Sequence, residues 1–351
     1  MFYEIIVWFN VDYIIVDKNK DRNFIFKCVT YTKTDREKFG NEIFDCVTSL
    51  GEYCYYNCDE LSSVNIPSSV TSVGNGCLSR CINLSAITLP KGVTMLNSNC
   101  FEGCKTLSNI IIPLQVLNIG NCCFSKCTSL SSIHVSSNVT SFGHNCFSDC
   151  NSLSSLEIPP SVLSIGNFCF LGCNNLGSLS VPSSVTFIGH NCFNRCVNLV
   201  NVTLSVQVTS IEHDSFYKCS NLKSILLPTC VSIIKECSFW GCKNLRTVHV
   251  SSSVTSFGNH YFYKCYNLNK IVIPAGVETI GNSCFEKCNM LSIVIIPTSV
   301  KTIGNNCFQE CVNLENIDVP SNVTSIGQNC FSAHTKVYLK KIELILLIEF
   351  V

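Results

Sequence analysis

Cysteine is the residue type in this chain whose number and spacing could do chemistry. The sequence contains 27 cysteines among 351 residues, and many of them form Cys-x-x-x-Cys pairs such as Cys307 and Cys311. Cysteines can form disulfides or bind zinc, and a cysteine shielded from water behaves as a small hydrophobic residue. Three arrangements are therefore open: a disulfide ladder, a metal array or a stack of buried free thiols.

Little else in the sequence suggests catalysis. Seven histidines are scattered along the chain, and it contains no phosphate-binding loop, nucleophile elbow or suitably spaced pair of carboxylates. Cys122 and Cys230 lie outside the regular cysteine positions and are the candidates for greater reactivity, but no acid, base or histidine is fixed near either. We therefore predict that the protein is not an enzyme and uses no cofactor.

The charge balance excludes two further classes of partner. The 24 basic side chains equal the 24 acidic ones, and 46% of the residues are hydrophobic while only 14% are charged. A neutral chain gives no electrostatic case for binding nucleic acid or anionic lipid. The composition is that of a packed globular protein.

A 23-residue unit, repeated twelve times without a change of register, organises the chain between Cys58 and His334. A fixed period of this length is typical of a stacked solenoid, because one unit is too short to bury a core without its neighbours. One position of the unit is leucine in every copy: Leu61, Leu84, Leu107, Leu130, Leu153, Leu176, Leu199, Leu222, Leu245, Leu268, Leu291 and Leu314.

Each unit is predicted to contain two short strands and a helical turn. Ile317–Val319 alternates with the period of a half-buried strand, and Val323–Ile326 forms a second extended piece. The glycine that follows in most copies indicates a positive φ or a tight corner. In Asn-Cys-Phe-x-x-Cys, the two cysteines and the phenylalanine share one helical face. We therefore predict an α/β repeat solenoid, a leucine-rich-repeat-like right-handed superhelix of about twelve coils.

The limits of the repeat predict the domain organisation. Residues 46–334 form the solenoid, residues 1–45 an N-terminal cap or irregular segment, and residues 335–351 a C-terminal apolar tail or cap. The apolar stretch Ile342–Val351 is too short to span a membrane, because a transmembrane helix needs about 20 residues. Uncapped apolar ends would favour end-to-end self-association.

The repeat resembles the BspA-like leucine-rich repeats. Their pattern, Leu-x-x-Ile-x-Ile-Pro-x-x-Val-x-x-Ile-Gly-x-x-Ala-Phe-x-x-Cys, is similar to the sequence from Cys54 to His334, except that the family's alanine is mostly cysteine here, as in Cys77 and Cys146. Members are known from bacteria and protozoan parasites, often as surface antigens or adhesins. The resemblance implies that this chain binds proteins.

Stacked coils favour buried free thiols over the other two arrangements. Equivalent Cβ atoms in adjacent coils are expected about 4.8 Å apart, whereas a disulfide favours about 3.8 Å. Zinc needs four converging ligands, which cysteine pairs facing an apolar core cannot supply. We therefore predict that no metal is bound. A thiol-rich chain fits a reducing compartment, which favours a cytoplasmic location.

The outward residue of the first strand supplies the first group of candidate binding residues. By analogy with the family, this strand lines the binding face. Among its outward residues we select His134, Glu157, Leu226 and His249 as candidates for partner binding.

The helical-turn segment supplies a second candidate site. Its solvent-facing position is mostly polar, but it is Tyr217, Trp240 and Tyr263 in three consecutive copies, and rings about 5 Å apart would form an aromatic stripe. Aromatic side chains with a polar rim are typical interface anchors. The alternative is structural, because these copies also lose the usual proline, glycine and cysteine, and the rings would then cover a packing fault.

Two classes of function follow. The first is a cytoplasmic, non-enzymatic scaffold that binds protein partners through the solenoid surface, supported by the thiol content and the lack of a recognisable signal sequence. The second is a cell-surface or secreted antigen or adhesin, supported by the family resemblance.

Overall fold

The computed structural model describes residues 4–340 and shows a parallel β-solenoid with coils of about 23 residues. The chain divides into two compact units, Met1–Val208 and Thr209–Val351, which we call the N-terminal unit and the C-terminal unit. In both units short parallel strands pair with a shift of one repeat, as when Ser141 lies opposite Ser164 and Thr279 opposite Thr302. The leucine-rich-repeat-like solenoid is thus confirmed.

The N-terminal unit contains fifteen described strands and two short helices. These are β1 (Ile5–Val7), β2 (Val11–Asp12), α1 (Tyr13–Lys18), β3 (Phe24–Phe26), β4 (Val29–Tyr31), α2 (Lys33–Phe39), β5 (Ser49–Leu50), β6 (Ser72–Val73), β7 (Met95–Leu96), β8 (Asn109–Ile111), β9 (Asn118–Ile119), β10 (Ser132–His134), β11 (Ser141–Phe142), β12 (Ser164–Ile165), β13 (Ser178–Ser180), β14 (Phe187–Ile188) and β15 (Asn201–Thr203).

The C-terminal unit contains twelve strands within the described part of the chain. These are β16 (Ser210–Ile211), β17 (Ser224–Leu226), β18 (Ile233–Ile234), β19 (Thr247–His249), β20 (Ser256–Phe257), β21 (Lys270–Val272), β22 (Thr279–Ile280), β23 (Ile293–Ile295), β24 (Thr302–Ile303), β25 (Asn316–Pro320), β26 (Ser325–Ile326) and β27 (Lys336–Lys340).

The number of turns is about fifteen, so the prediction of about twelve is wrong. The difference arises in front of the repeat, where β2 and β4 join the same parallel sheet as β5. Val11 pairs with Val29, and Thr30 with Ser49, so these coils are shorter than 23 residues and do not share the repeat's register. At the other end β27 pairs with β25. The stretch Ile342–Val351 lies outside the described residues.

The predicted helical turns are absent from the described coils, because stacking changes the backbone hydrogen bonding. In one such segment, Asn99 and Gly103 adopt left-handed φ values of 57° and 72°, which a helix excludes. The N–H groups of Asn99, Phe101 and Gly103 donate to carbonyls of the next coil at 2.7–2.9 Å. The N–H groups of Glu102 and Cys104 donate to carbonyls of the same coil, those of Asn99 and Phe101, at 3.1 Å each. Half of the N–H groups therefore hold neighbouring coils together and are not available to a helix.

In several coils, close packing requires the glycine that follows the second strand, and Gly281 is an example. A Cβ atom on Gly281 would lie 2.6 Å from the carbonyl carbon of Gly258 and 2.7 Å from the backbone nitrogen of Asn259. The φ of Gly281 lies outside the left-handed region, so of the two predicted reasons for glycine the tight corner is the one found.

Phenylalanine side chains of neighbouring coils stack on one another in the core of each unit. Phe101 and Phe124 stack with ring centroids 5.4 Å apart and planes 3° apart, and Phe285 and Phe308 do so at 5.2 Å and 6° in the C-terminal unit. These rings are fully buried. Because each ring contacts its equivalents in neighbouring coils, burial depends on stacking, as expected for a repeat protein.

Candidate functional site

All 27 cysteines are free thiols, and most lie in the core. The second cysteine of a pair also has a bonding role: the Sγ–H groups of Cys104 and Cys288 donate to the carbonyls of Leu78 and Phe262 in the preceding coil at 3.1 and 3.2 Å. Burial raises the pKa of these thiols well above the usual value. Within residues 4–340, no group of three or more His, Cys, Asp or Glu side chains could hold a metal ion.

A few cysteines are accessible, and the sequence identified only some of them. Cys230 is exposed, but Cys122 is half-buried, and burial raises the pKa of its thiol. Sequence reasoning missed Cys46, which is exposed, and Cys237, which is half-buried with a pKa raised to about 11, chiefly by burial. Cys237 lies five repeats after Cys122, so comparison at that spacing would have found it.

A concave groove of about 1100 Å³ lies on the first-strand face of the N-terminal unit. Its lining extends over four consecutive coils and includes the predicted residues His134 and Glu157, both exposed. His134 lies opposite Ile111 in the parallel pair β8–β10, and Ile111 is 69% exposed. The structure thus brings His134 and Glu157 into one groove. It adds the exposed aliphatic side chain of Ile111, which lies in the coil before that of His134.

The C-terminal unit carries a smaller groove of about 390 Å³ on its own first strands. His249 lines it and lies opposite Leu226 in the pair β17–β19, and Leu226 is also 69% exposed. Val272 lines the other side. The predicted residues Leu226 and His249 are therefore neighbours on this surface.

The two grooves share a sequence signal that sequence reasoning missed. His134–Ser137 and His249–Ser252 both read His-Val-Ser-Ser, five repeats apart, with serine in the usual proline position. The Ser251 hydroxyl donates to the Thr229 carbonyl at 2.9 Å, whereas the Ser136 hydroxyl is buried without a hydrogen-bond partner. An exposed aliphatic residue precedes each histidine by one repeat.

The aromatic stripe of Tyr217, Trp240 and Tyr263 exists, but its rings are half-buried rather than fully exposed. The Tyr217 and Trp240 ring centroids are 5.7 Å apart, and those of Trp240 and Tyr263 are 4.4 Å apart, close to the predicted spacing. The ring planes are tilted by 41° between Tyr217 and Trp240 and by 50° between Trp240 and Tyr263. The three rings therefore contact one another, and part of their aromatic surface is buried within the stripe.

Basic side chains cover further parts of the stripe. Lys218 lies over the Tyr217 ring at 5.1 Å, and Lys264 over the Tyr263 ring at 5.0 Å. Lys287 donates to the Tyr263 hydroxyl at 3.5 Å, and this bond is the main reason that the pKa of Lys287 is raised. Cation–π contacts of this kind stabilise a folded surface as readily as they bind a ligand.

The core beside the stripe contains buried polar atoms that have no hydrogen-bond partner. Tyr261 replaces the first cysteine of its coil, and its hydroxyl is buried without a hydrogen-bond partner. The Nδ1 atom of His260 is also buried without a partner, while its ring lies 4.9 Å from that of Trp240. Buried polar atoms without partners destabilise a protein. This arrangement favours the structural alternative, in which the rings cover a packing fault.

The repeats of this chain match a known protein family. The model of the BspA type leucine-rich repeat region matches residues 48–163, 140–269 and 209–338, which together cover most of the chain. The chain belongs to the BspA-type leucine-rich repeat family. The expected resemblance is therefore confirmed.

Solved structures agree with this membership in the BspA-type family. A leucine-rich repeat protein from Bacteroides ovatus ATCC 8483 is 27% identical, with a TM-score of 0.61 over 84% of this chain and 88% of that chain. A leucine rich cell surface protein from Faecalibacterium prausnitzii A2-165 is 22% identical, with a TM-score of 0.51 over 92% of this chain and 83% of that chain, a likeness that shows the fold alone. No curated protein matches the sequence.

This member of the BspA-type family has no membrane-spanning helix in the part that the structure describes. Both described helices are short: α1 has 6 residues and α2 has 7. A helix that crosses a bilayer needs about 20 residues.

Proposed function

We propose that this BspA-type protein is a non-enzymatic interaction scaffold that binds protein partners through its first-strand face. The observation that carries the proposal is the exposure of Ile111 and Leu226, each 69%, on strands whose inward residues are buried. Exposed apolar side chains with polar neighbours are typical of protein interfaces. His134, Glu157 and His249 are the polar neighbours here.

The test compares partner capture by three forms of the full chain. The double variant Ile111→Ser and Leu226→Ser removes the exposed aliphatic groups of the first-strand face. Leu163→Ser is the control, because Leu163 is 61% exposed but directly precedes the second strand of its coil, Ser164–Ile165. Each tagged form is cross-linked in its native cells, and the captured proteins are quantified by mass spectrometry. We expect the double variant to lose partners that the wild type and the control retain. Equal capture by all three forms would refute the proposal.

The aromatic stripe is the second candidate surface. Its support is the set of three adjacent rings that remain half exposed among lysines. Changing Tyr217, Trp240 and Tyr263 together to serine separates the two interpretations. A folded variant that has lost a partner supports a binding site, and a variant that binds normally but unfolds at lower temperature supports a packing role.

Family membership favours a cell-surface or secreted protein over a cytoplasmic one, since BspA-like proteins are often surface antigens or adhesins. The thiol content does not oppose this location, because reactivity depends on accessible thiolate. Burial raises the pKa of thiols such as Cys104 and protects them from oxidants. Immunolabelling of intact and permeabilised native cells decides between the two locations, and labelling only after permeabilisation would contradict a surface position.

End-to-end self-association is proposed as a further property of the scaffold. The exposed side chains of Val337, Tyr338 and Leu339 on the last described strand support it, because an apolar strand at the end of a sheet can pair with another copy. Size-exclusion chromatography with light scattering, repeated over a hundredfold range of concentration, should show a rising mass. A constant monomer mass would contradict it.

A further inference from the structure

The groove of the N-terminal unit has an arrangement of charges that points to one kind of occupant. We propose that it binds an extended peptide segment in which an aliphatic side chain lies between an acidic side chain and a basic one. The inference rests on the proposed interaction function and assigns the chemistry of its partner.

Opposite charges lie at the two ends of the groove. Lys91 belongs to the first of the four coils that line it and Glu157 to the last, and both side chains are exposed. Within the described residues, neither forms an ion pair with another side chain. Both charges are therefore available, and a partner that crosses the groove meets a cation at one end and an anion at the other.

The middle of the groove is apolar. Ile111 and Leu114 belong to the second coil and are 69% and 56% exposed. His134 follows in the third coil, opposite Ile111. An aliphatic side chain that packs on Ile111 and Leu114 removes apolar surface from water at about 25 cal/mol per Å².

The dimensions fit a short extended segment. Lys91 and Glu157 are three coils apart, which corresponds to about 14 Å along the stack of coils at the usual spacing of paired strands. Lys91 also lies three positions after Thr88, the residue of its coil that corresponds to Glu157, so the flexible Lys91 side chain must cover a further offset along the strand direction. An extended peptide rises about 3.3 Å per residue and places alternate side chains on one face, so residues 1, 3 and 5 span about 13 Å. An acidic residue at position 1, leucine at position 3 and a basic residue at position 5 would therefore face Lys91, the apolar middle and Glu157.

The C-terminal groove provides a comparison within the same chain. Its histidine, His249, lies opposite Leu226 as His134 lies opposite Ile111, but Leu226 is not part of the lining. Val272 occupies the position that corresponds to Glu157. The position five repeats after Lys91 is Val206. The lining of the C-terminal groove includes a cation, Lys270, but no acidic side chain among its described residues. Peptide binding that depends on both charges should therefore occur in the N-terminal groove.

The experiment uses three capped synthetic peptides with the full-length protein. Their central sequences are Asp-Ala-Leu-Ala-Lys, Asp-Ala-Leu-Ala-Asp and Lys-Ala-Leu-Ala-Lys. Binding is followed by NMR of isotope-labelled isoleucine methyl groups, in which the signal of Ile111 reports on the groove. We expect the mixed-charge peptide to bind about fivefold more tightly than either like-charged peptide at low salt. Each like-charged peptide replaces one exposed ion pair with the groove by a repulsion between like charges.

Charge reversal in the protein should change the preference in a defined way. Lys91→Glu should come to prefer the peptide with two lysines, and Glu157→Lys the peptide with two aspartates. The double reversal should again prefer the mixed peptide, because the peptide can bind in the opposite direction. Lys105→Glu is the control, since Lys105 is exposed on the same unit and does not line the groove.

Two results would overturn the inference. Equal affinities for the three peptides would show that the charges select nothing, and an unchanged Ile111 signal would show that the peptides bind elsewhere or not at all. If either result is found but the double variant Ile111→Ser and Leu226→Ser still loses its cellular partners, the proposed interaction function stands and the peptide inference falls. If the double variant retains its cellular partners as well, the proposed interaction function falls together with the peptide inference.

Discussion

The glycine corner offers a test of coil packing, because two equivalent glycines of the C-terminal unit have different surroundings. A Cβ on Gly281 would lie 2.6 Å from the backbone of the preceding coil, about 0.8 Å short of the 3.4 Å at which ordinary contact begins. A Cβ on Gly258, one repeat earlier, would lie 3.5 Å from the nearest backbone atoms, which belong to Glu236, and 3.3 Å from the flexible side chain of the same residue. The coil before Gly258 carries Lys235 in the glycine position.

We expect Gly281→Ala to lower the free energy of unfolding by about 1–2 kcal/mol. Overpacking a rigid site costs about 1–3 kcal/mol, and the loss of backbone freedom in the unfolded chain returns about 0.4–1 kcal/mol. Gly258→Ala causes no overpacking, so we expect it to leave the free energy of unfolding unchanged or to raise it by up to about 1 kcal/mol. The pair forms a matched comparison, since the same change is made at the same position of two adjacent repeats.

Urea unfolding followed by circular dichroism measures the global effect. Because coils of a repeat protein can unfold separately, native-state hydrogen exchange should also be measured at the Gly281 amide, which donates to the Phe257 carbonyl at 2.8 Å. Exchange there should accelerate in Gly281→Ala. Equal destabilisation by both alanines, or none by either, would refute the explanation of the glycine by close approach of coils.

Three further outcomes follow from the thiols. Cys104→Ala should lower the free energy of unfolding by about 0.5–1 kcal/mol more than Cys100→Ala, because the Cys104 thiol donates to the Leu78 carbonyl of the preceding coil, which keeps a second bond from the Cys81 N–H. Equal values in urea unfolding would contradict this role. Burial raises the pKa of Cys81 and Cys127 to about 12 from an ordinary value of 9.0, so the folded state keeps protons that the unfolded state loses. Each of these thiols should therefore reduce stability by about 1.4 kcal/mol per pH unit between about pH 9 and 12, and a flat stability profile in that range would exclude the effect. Alkylation of the native protein near pH 8 should modify the exposed Cys230 before the buried cysteines, and peptide mapping that shows uniform labelling would contradict the packed core.

The cysteines show how far sequence reasoning reached. Their regular positions predicted free buried thiols, and Cys104 is one, because side-chain periodicity records which face of each coil meets the core. The hydrogen bond from Cys104 to Leu78 was not predictable, since it joins residues in different coils and depends on how the coils are stacked. Cys122 was a candidate for greater reactivity, but it is half-buried, and burial raises the pKa of its thiol.

The sequence by itself determined the solenoid, the coil length and the two strand positions, because a repeat of alternating apolar residues has few ways to bury them. It also determined which residues at the first-strand position face outwards, including His134, Glu157, Leu226 and His249. In the coil of Glu157, however, this predicted strand is not formed. The tertiary structure decided the conformation of the Asn99–Cys104 segment, since carbonyls of the next coil compete for its N–H groups. It also decided which outward residues share a groove and how far the aromatic stripe is covered. These features depend on contacts between coils, and a pattern within one repeat does not contain them.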